Sequence, residues 1–554
     1  MRHITNNIPL KRLLKWLWKN SKGARGQAII NTFIGLLDIT CQLLWVLACK
    51  RAIDIATGES EGSIAVTGVI IGALMLTEIA SRSINRWIHA VIGVEVRNKM
   101  RLKIFSRLLR GEWLHLQKHH TGDLVNRLEG DVNNITSLIT EIIPATLVVL
   151  VQLLASFTIL FSMSPILAVS VLVALPAAML ASNFYVRKMR KLNREVRDSD
   201  SRIQEVLQES LQHKALIKAL EQNDSTEEQL TNLQKKLQGQ IRNRTKFSLG
   251  AYSFTQLGFA TGYLIAFMWG VQGLATGIVS FGSLSAYLQL VGLIQRPTMD
   301  ISRFIPSIVS SFTAAERLYE LEDIPEEEQG ESIMLQGIAG VRFKGVNFKY
   351  DGESRHIFNN FSYDFAPNSC TAIVGETGTG KTTLIRLLVA LINPQEGEVE
   401  IYDKQKSYKS STLTRCNFVY IPQGNSLISG TIRDNLLMGN PAATEKEMMQ
   451  ALHIACADYV TELPQGIDTE LSEQGGGLSE GQAQRIAVAR SILRPGSILI
   501  LDEVTSALDE ETEKEMLHRL TSSQAGKTLI FVTHRPAIIQ YCDNVLRIEK
   551  PQET

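Results

Sequence analysis

The sequence predicts two architectures in series: a membrane all-α domain of six spanning helices with long cytoplasmic extensions, then an α/β domain. Three observations carry this. Apolar runs long enough to cross a bilayer as helix, roughly 20 residues each, crowd the region before residue 300. Clusters of lysine and arginine separate these runs in alternation, as in multi-pass proteins. From Val341 short strand-like runs take over, and one of them, residues 371–374, feeds a glycine-rich loop and then an apolar helix over 384–391. The 554 residues are too many for one domain and enough for two or three.

The glycine-rich loop fixes the chemistry of the second half. Gly375, Glu376, Thr377, Gly378, Thr379, Gly380, Lys381 and Thr382 read G-E-T-G-T-G-K-T, which fits G-x-x-x-x-G-K-[ST] at every fixed position. The glycines let the backbone turn tightly and aim its N–H groups at phosphate oxygens. The helix that follows, starting near Lys381 and Thr383, points its positive end the same way. Lys381 supplies a point charge for the β- and γ-phosphates, and Thr382 a hydroxyl for Mg²⁺. The strand before and the helix after are the context this motif requires, so the domain is expected to be an α/β P-loop NTPase domain. The expected ligands are therefore ATP and Mg²⁺.

The membrane half follows in order. Residues 1–25 are basic, with no apolar core beside a cleavage site, so no secretory signal is expected. Leu13, Leu14, Trp16, Leu17 and Trp18 give an apolar, aromatic side, which predicts a short amphipathic helix lying on the inner leaflet. Spans are expected over 27–48, 64–94, 135–163, 166–184 and 249–272, with a sixth beginning near 283. An even number leaves both termini on one side. Arg97, Lys99, Arg101, Lys103, Arg107, Arg110 and Lys118 lie between spans two and three. Arg187, Lys188, Arg190, Lys191, Arg194 and Arg197 lie between spans four and five. Positive-inside then predicts a multi-pass protein of the cell (inner or plasma) membrane, with N- and C-termini cytoplasmic.

The two inner stretches exceed ordinary loop lengths. Met100, Ile104 and Leu108 in the first, and Ile203, Val206, Leu207 and Leu211 in the second, keep helical spacing. The spans are thus expected to continue as helices into the cytoplasm, with tips at 119–124 and 211–220 that touch the nucleotide domain. Glu78, Arg82 and Arg86 recur every four residues inside span two. They predict either a substrate pathway shared with Asp38 and Glu141, or an i,i+4 salt-bridge ladder.

The boundaries read as 1–320 for the transmembrane domain, 321–338 for a linker and 339–554 for the nucleotide domain. The linker LEDIPEEEQGE is acidic and reads as a solvated connection. Lys+Arg number 57 and Asp+Glu 56, so nothing in the charge balance calls for nucleic acid. The six cysteines form no C-x-x-C pair and predict buried free thiols rather than zinc or a disulfide framework. Tyr350 lies at the end of a strand before the phosphate loop, where an aromatic ring can stack on adenine. Residues 497–501 form a buried-strand run ending in Asp502 and Glu503. Asp502 suits Mg²⁺, and Glu503 is placed to orient or deprotonate an attacking water.

The stretch GGGLSEGQAQRIAVARSIL resembles the ATP-binding cassette (ABC) family, matching its L-S-G-G-Q signature at four of five positions over residues 478–482. The resemblance extends through the second half. Gln423 is similar to the family's Q-loop glutamine, which acts in catalysis and on Mg²⁺. Glu473 is similar to a coupling-loop glutamate of exporters, Ser506–Asp509 to the D-loop, and His534 to the switch histidine. Ser479, Gly481 and Gln482 are implied contacts to ATP. TGDLVNRLEGDV and ERLYELED resemble exporter segments at the first coupling region and the exit of the sixth helix. Glu480 and Ser472 each replace a glycine of the family pattern, and neither removes an essential atom.

The resemblance implies a half-transporter in which one cassette's signature completes the other's nucleotide site. Two chains are then needed, with intact catalytic residues favouring two identical copies over an unlike pair. The expected function is ATP-driven export of a lipid, drug-like small molecule or peptide across the bilayer. The alternative is an ATP-gated or regulatory membrane protein of the same fold that does not pump.

Overall fold

The computed structural model describes residues 9–170, 182–352, 355–472, 476–505, 507–523 and 526–549. The chain divides into two compact units. The first takes the chain up to Phe105 together with Leu124–Glu320. The second takes Ser106–Asp123 together with the chain from Leu321 onward.

The regular elements among the first unit's described residues are all helices. α1 (Leu10–Asn20) leads to α2 (Arg25–Ala56), α3 (Ile64–Leu109), α4 (Thr121–Met163), α5 (Ser182–Gln212), the single-turn α6 (Lys214–Ala219), α7 (Asn223–Ala275) and α8 (Phe281–Glu322). Among the described residues, α2, α3, α4 and α7 are long and apolar enough to cross a membrane. The expected fourth span falls largely on 171–181, outside the described residues. The expected sixth is α8, a continuous helix of 42 residues with Pro297 and Pro306 inside it. Gln289, Gln295 and Arg296 dilute its apolar stretch, which is why composition alone does not single it out. α3 and α7 run 46 and 53 residues, far beyond the roughly 20 that a crossing needs. α4 contains two π-turns, Arg127–Asp131 and Leu138–Ile142.

Association of helices in lipid rests on close packing and interhelical hydrogen bonds rather than on expulsion of water. Both are present. Ala266 of α7 and Ala286 of α8 are fully buried and let Ile39 and Leu43 of α2 and Leu160 of α4 close into one cluster. The Asn31 side chain of α2 donates to the Thr140 carbonyl of α4 at 2.8 Å. The charges of α3 are arranged around Asp38 of α2. Arg82 bridges Glu78 one turn earlier and also Asp38 at 3.3 Å, while Gln42 donates to the same Asp38 carboxylate at 3.0 Å. The expected ladder is therefore a clasp between two helices. Glu141 lies 3.8 Å from His89.

α1 differs from expectation. Leu13, Trp16 and Leu17 are buried within the unit, and the Trp16 ring meets Tyr319 edge-on at 6.4 Å between centroids. An amphipathic stripe is satisfied by protein as well as by lipid, and here protein takes the main stripe. Leu14 and Trp18 remain exposed on the basic side.

The second unit is built on three sheets. A four-stranded antiparallel sheet has the order β2 (Phe358–Phe365), β1 (Gly340–Phe348), β4 (Glu396–Tyr402), β5 (Ser407–Lys409). A five-stranded parallel sheet has the order β11 (Asn544–Arg547), β3 (Cys370–Val374), β10 (Thr528–Val532), β9 (Ile498–Asp502), β6 (Phe418–Ile421). β7 (Gly430–Thr431) and β8 (Glu470–Leu471) make a small ribbon. The inner parallel strands β3, β10 and β9 are buried on both faces. Ile498, Ile500, Ile530 and Val532 enter one hydrophobic cluster, and Leu499, Leu501, Leu529 and Phe531 the other. Alternation at a period of two sends each strand into both. Removing such a side chain costs about 2–5 kcal/mol for a leucine-to-alanine change. The helices used below are α9 (Lys381–Leu388), α10 (Ile432–Leu437), α11 (Glu445–Ile454), α12 (Glu480–Ile492), α13 (Glu510–Ser523) and α14 (Pro536–Ile539).

The linker is largely exposed, in keeping with its acidity, but it is anchored at several points. Leu321, Ile324 and Leu335 are buried. Glu327 takes both ends of the Arg415 guanidinium at 3.0 Å each, while Arg415 also donates to the Val389 and Ala390 carbonyls. Glu326 and Glu327 find fixed cations of the same unit, while Glu328 and Glu331 are exposed. Residues 106–123 join it there. Glu112 N–H donates to the Pro325 carbonyl at 2.9 Å, Glu327 N–H to the Arg110 carbonyl at 2.8 Å, and Arg107 pairs with Glu326. Leu114 packs on the β1–β2 core, and Lys118 meets Asp351 at 3.0 Å. The contacts thus begin at residue 107, earlier than the expected tip at 119–124. The second expected tip forms α6 in the first unit, with Leu211, Leu216 and Leu220 exposed.

Candidate active site

β3 delivers the chain into the glycine-rich loop, and α9 begins at Lys381. Gly380 caps that helix at φ 105°, and a Cβ there would stand 2.5 Å from the Ile357 side chain. Only glycine tolerates both the left-handed backbone and the contact. At Gly375 a Cβ would stand 2.5 Å from the Ile548 carbonyl oxygen, so the loop root packs backbone to backbone. Beside Gly378 nothing stands within 4 Å of where a Cβ would be, leaving that side of the cradle open.

Lys381 is folded over the loop. Its ammonium donates to the Gly375 carbonyl at 2.6 Å and the Glu376 carbonyl at 3.1 Å, and meets His534 Nε2 at 3.0 Å. Burial lowers its pKa from the ordinary lysine value. Thr379 is buried and bonds back to the Glu376 carbonyl at 3.0 Å, bracing the turn. Thr377 and Thr382 are exposed. Thr383 is buried, and its hydroxyl shares a hydrogen bond of 3.3 Å with Tyr350, leaving its backbone N–H for a ligand. Arg386 donates to the same Tyr350 oxygen at 2.9 Å. Tyr350 is two residues past β1 and stacks edge-on against Phe348, so its ring is held beside α9.

The carboxylates arrive on the neighbouring strands. β9 ends at Asp502, opposite Val532 of β10. Glu503 leaves the strand at φ 49°, left-handed for a residue with a side chain, and its N–H donates to the Val532 carbonyl at 3.0 Å. Such a backbone costs about 1–3 kcal/mol and clusters at functional sites. The Gln423 amide donates to one Glu503 oxygen at 2.6 Å, and His534 Nε2 stands 3.6 Å from the other. Lys381, His534, Glu503 and Gln423 therefore form one line across the carboxyl ends of β3, β10, β9 and β6. Asp502 lies beside that line, 7% exposed. Burial, then the charge of Glu503, raises its carboxyl to about 6, against the lowering pull of Tyr420 and Lys381. The Tyr420 hydroxyl donates to it at 3.3 Å. Sequence reasoning missed Tyr420. The signal available was its place on the strand that ends just before Gln423.

At α12, Ser479 and Gln482 cap the helix reciprocally. The Ser479 hydroxyl accepts the Gln482 N–H at 3.3 Å, and the Gln482 side chain accepts the Ser479 N–H at 2.9 Å. A Cβ on Gly481 would stand 2.8 Å from the Ala507 carbonyl oxygen, so the signature packs on the loop after β9. Glu480 is exposed in the first turn, where the helix dipole favours an anion. Glu473 and Ser506 lie outside the described residues.

These donors fit a nucleotide triphosphate: a lysine, an open glycine cradle and the first N–H groups of α9, which lack acceptors a turn earlier. No group of three metal-ligating side chains gathers among the described residues. Mg²⁺ takes one or two protein groups together with phosphate and water. Thr382, Gln423 and Asp502 are the groups available to it.

Residues 28–298 match the ABC transporter transmembrane region family, and residues 358–506 match the ABC transporter family. The chain is 27% identical over 490 residues to an ATP-dependent lipid A-core flippase of Bordetella avium, covering 87% of this chain and 82% of that protein. It is 28% identical over 510 residues to a multidrug resistance ABC transporter ATP-binding and permease protein of Lactococcus lactis, covering 90% and 84%. The fold is shared with a bacterial Atm1-family ABC exporter solved with ATP bound, at a TM-score of 0.79 and 22% identity, over 96% of this chain and 95% of that one. With a helical membrane region first and a nucleotide-binding cassette second, both matched and in that order, the chain belongs to the ABC transporter family as an exporter-type half-transporter, a multi-pass membrane protein whose cassette is an ATPase coupled to transport.

Proposed function

We propose that two copies of this chain clamp ATP between them and use its binding and hydrolysis to export an amphiphilic substrate. A lipid or drug-like molecule is favoured by what the flippase and multidrug relatives are named for, and a peptide is the remaining class. In this reading Lys381 and the loop from Gly375 to Thr383 hold the phosphates, and Tyr350 stacks on adenine. Ser479, Gly481 and Gln482 of the other copy face the γ-phosphate. Thr382, Gln423 and Asp502 would hold Mg²⁺, which would supply positive charge to the phosphates. Glu503 orients and deprotonates the attacking water, Gln423 fixes the Glu503 carboxylate, and His534 contacts the γ-phosphate. Clamping favours the closed pair, and hydrolysis releases it, so the membrane helices alternate between inward- and outward-facing states. The basic inner stretches put both termini, the linker and the cassette (321–338 and 339–554) in the cytoplasm.

The observation that supports this reading most is the line from Lys381 through His534 and Glu503 to Gln423, with the strained Glu503 at its centre. The test is Glu503→Gln in reconstituted full-length protein. ATP turnover is expected to vanish while ATP still drives pairing of the chains, read by cross-linking or mass photometry. Turnover at the wild-type rate would sink the assignment of Glu503. Wild-type protein that hydrolyses ATP yet accumulates no lipid or drug probe in vesicles, while ATP opens a conductance, would replace the pump with an ATP-gated protein.

A further inference from the structure

The fold brings together two of the six cysteines, separated by 172 positions in sequence. Cys370 opens β3, and Cys542 lies two residues before β11. Their sulfurs are 3.1 Å apart, with the Cys370 thiol donating to Cys542. The backbones are already tied. Cys370 N–H donates to the Asp543 carboxylate at 2.9 Å, and Asp543 N–H donates to the Cys370 carbonyl at 2.9 Å. Cys370 is buried and Cys542 is half-buried, packed against the core.

We propose that Cys370 and Cys542 are an oxidisable dithiol, which a hydroperoxide converts to an intrachain disulfide that slows ATP turnover. Cys542, as thiolate, attacks one peroxide oxygen. An S–O bond forms, the O–O bond breaks, and the other oxygen leaves as alcohol or water. The Cys370 sulfur then attacks the Cys542 sulfur of that sulfenic acid. The S–S bond forms, the S–O bond breaks, and hydroxide leaves with the Cys370 proton as water. Two electrons pass from the sulfurs to the peroxide. The division of roles fits the existing contact. Donating its hydrogen bond, then burial, pushes the Cys370 thiol up, while accepting that bond draws the Cys542 thiol down.

Turnover is affected because of where the two strands lead. Cys370 begins the strand that ends at the phosphate loop. Cys542 closes the segment that starts at His534 and passes through α14. A covalent bond there fastens the His534 segment to the start of the strand that carries the loop, so both move as one piece. This part rests on the role given to His534 above, whereas formation of the bond does not.

The experiment treats full-length protein in detergent or vesicles with hydrogen peroxide, blocks remaining thiols with iodoacetamide, and maps peptides by mass spectrometry with and without reductant. A linked Cys370–Cys542 peptide, two hydrogens lighter than the free pair, is expected. A severalfold drop in ATPase rate should accompany it and reverse with dithiothreitol. Cys542→Ala and Cys370→Ala, each active when reduced, should resist the drop. Oxidation of Cys416 or Cys456 without the linked peptide would overturn the proposal. So would an unchanged rate in linked protein, or an equal loss in Cys542→Ala. Should Glu503→Gln leave turnover intact, the linked peptide still decides the dithiol on its own.

Discussion

Tyr420→Phe removes one oxygen and leaves the ring, so it isolates the hydrogen bond to Asp502. That bond is 3.3 Å long and ends on a buried carboxyl raised to about 6. A hydrogen bond to a charged group contributes about 1.5–3 kcal/mol, and at this length the low end applies. One pK unit corresponds to about 1.4 kcal/mol, so Asp502 should climb by about one unit, to about 7. The sign follows from the direction of the shift. A raised carboxyl is charged, and able to hold Mg²⁺, above its folded pKa, and loses that ability as pH falls through it. At about pH 6.5 the charged fraction should drop about threefold in the variant, and at about pH 8.5 it should hardly change. The assay is Mg²⁺ titration of a fluorescent ATP analogue bound to the full-length protein at both values. Mg²⁺ affinity should fall about threefold at the lower pH only, with Mg²⁺-free binding unchanged. Equal Mg²⁺ affinity in the two proteins at about pH 6.5 would show that the Tyr420 hydroxyl does not govern this carboxylate.

Three further changes test other parts. Gly380→Ala puts a Cβ 2.5 Å from the Ile357 side chain on a left-handed backbone, so ATP affinity should fall at least tenfold, about 1.4 kcal/mol, by equilibrium binding. Arg415→Ala strands Glu327 and two carbonyls, a cost of about 2–4 kcal/mol, and should lower the melting temperature of the cassette transition and loosen proteolytic protection of residues 321–338. Glu327→Gln, which keeps one acceptor for Arg415, should lose less. Glu480→Gly removes a carboxylate from the first turn of α12 and should keep or raise ATPase activity. A large loss would show that the carboxylate is required.

The legible parts of this chain were the local ones. Gly375 through Thr382 and the Asp502–Glu503 pair sit in short segments, and the structure sets both at the carboxyl ends of strands of one parallel sheet. The long helices were legible from their period, and the charge alternation marked the spans. What escaped was pairing at a distance. Tyr420 and Asp502 are 82 positions apart, and Arg107 and Glu326 are 219 apart, with nothing in either neighbourhood that names the other. The exposure of the linker follows its acidity, while its anchors on Arg107 and Arg415 lay too far off in sequence to be read. α1 misled for a related reason. Its stripe of Leu13, Trp16 and Leu17 states that an apolar surface is wanted, and only packing says that Tyr319 provides it.

The short ladder between residues 110–112 and 325–327 has a mechanical consequence. The far end of α3 and the far end of α8 are stitched to each other at the place where both enter the cassette's own structure. Like two reins gathered in one hand, the two segments are held side by side where Gly111 and Glu326 face each other.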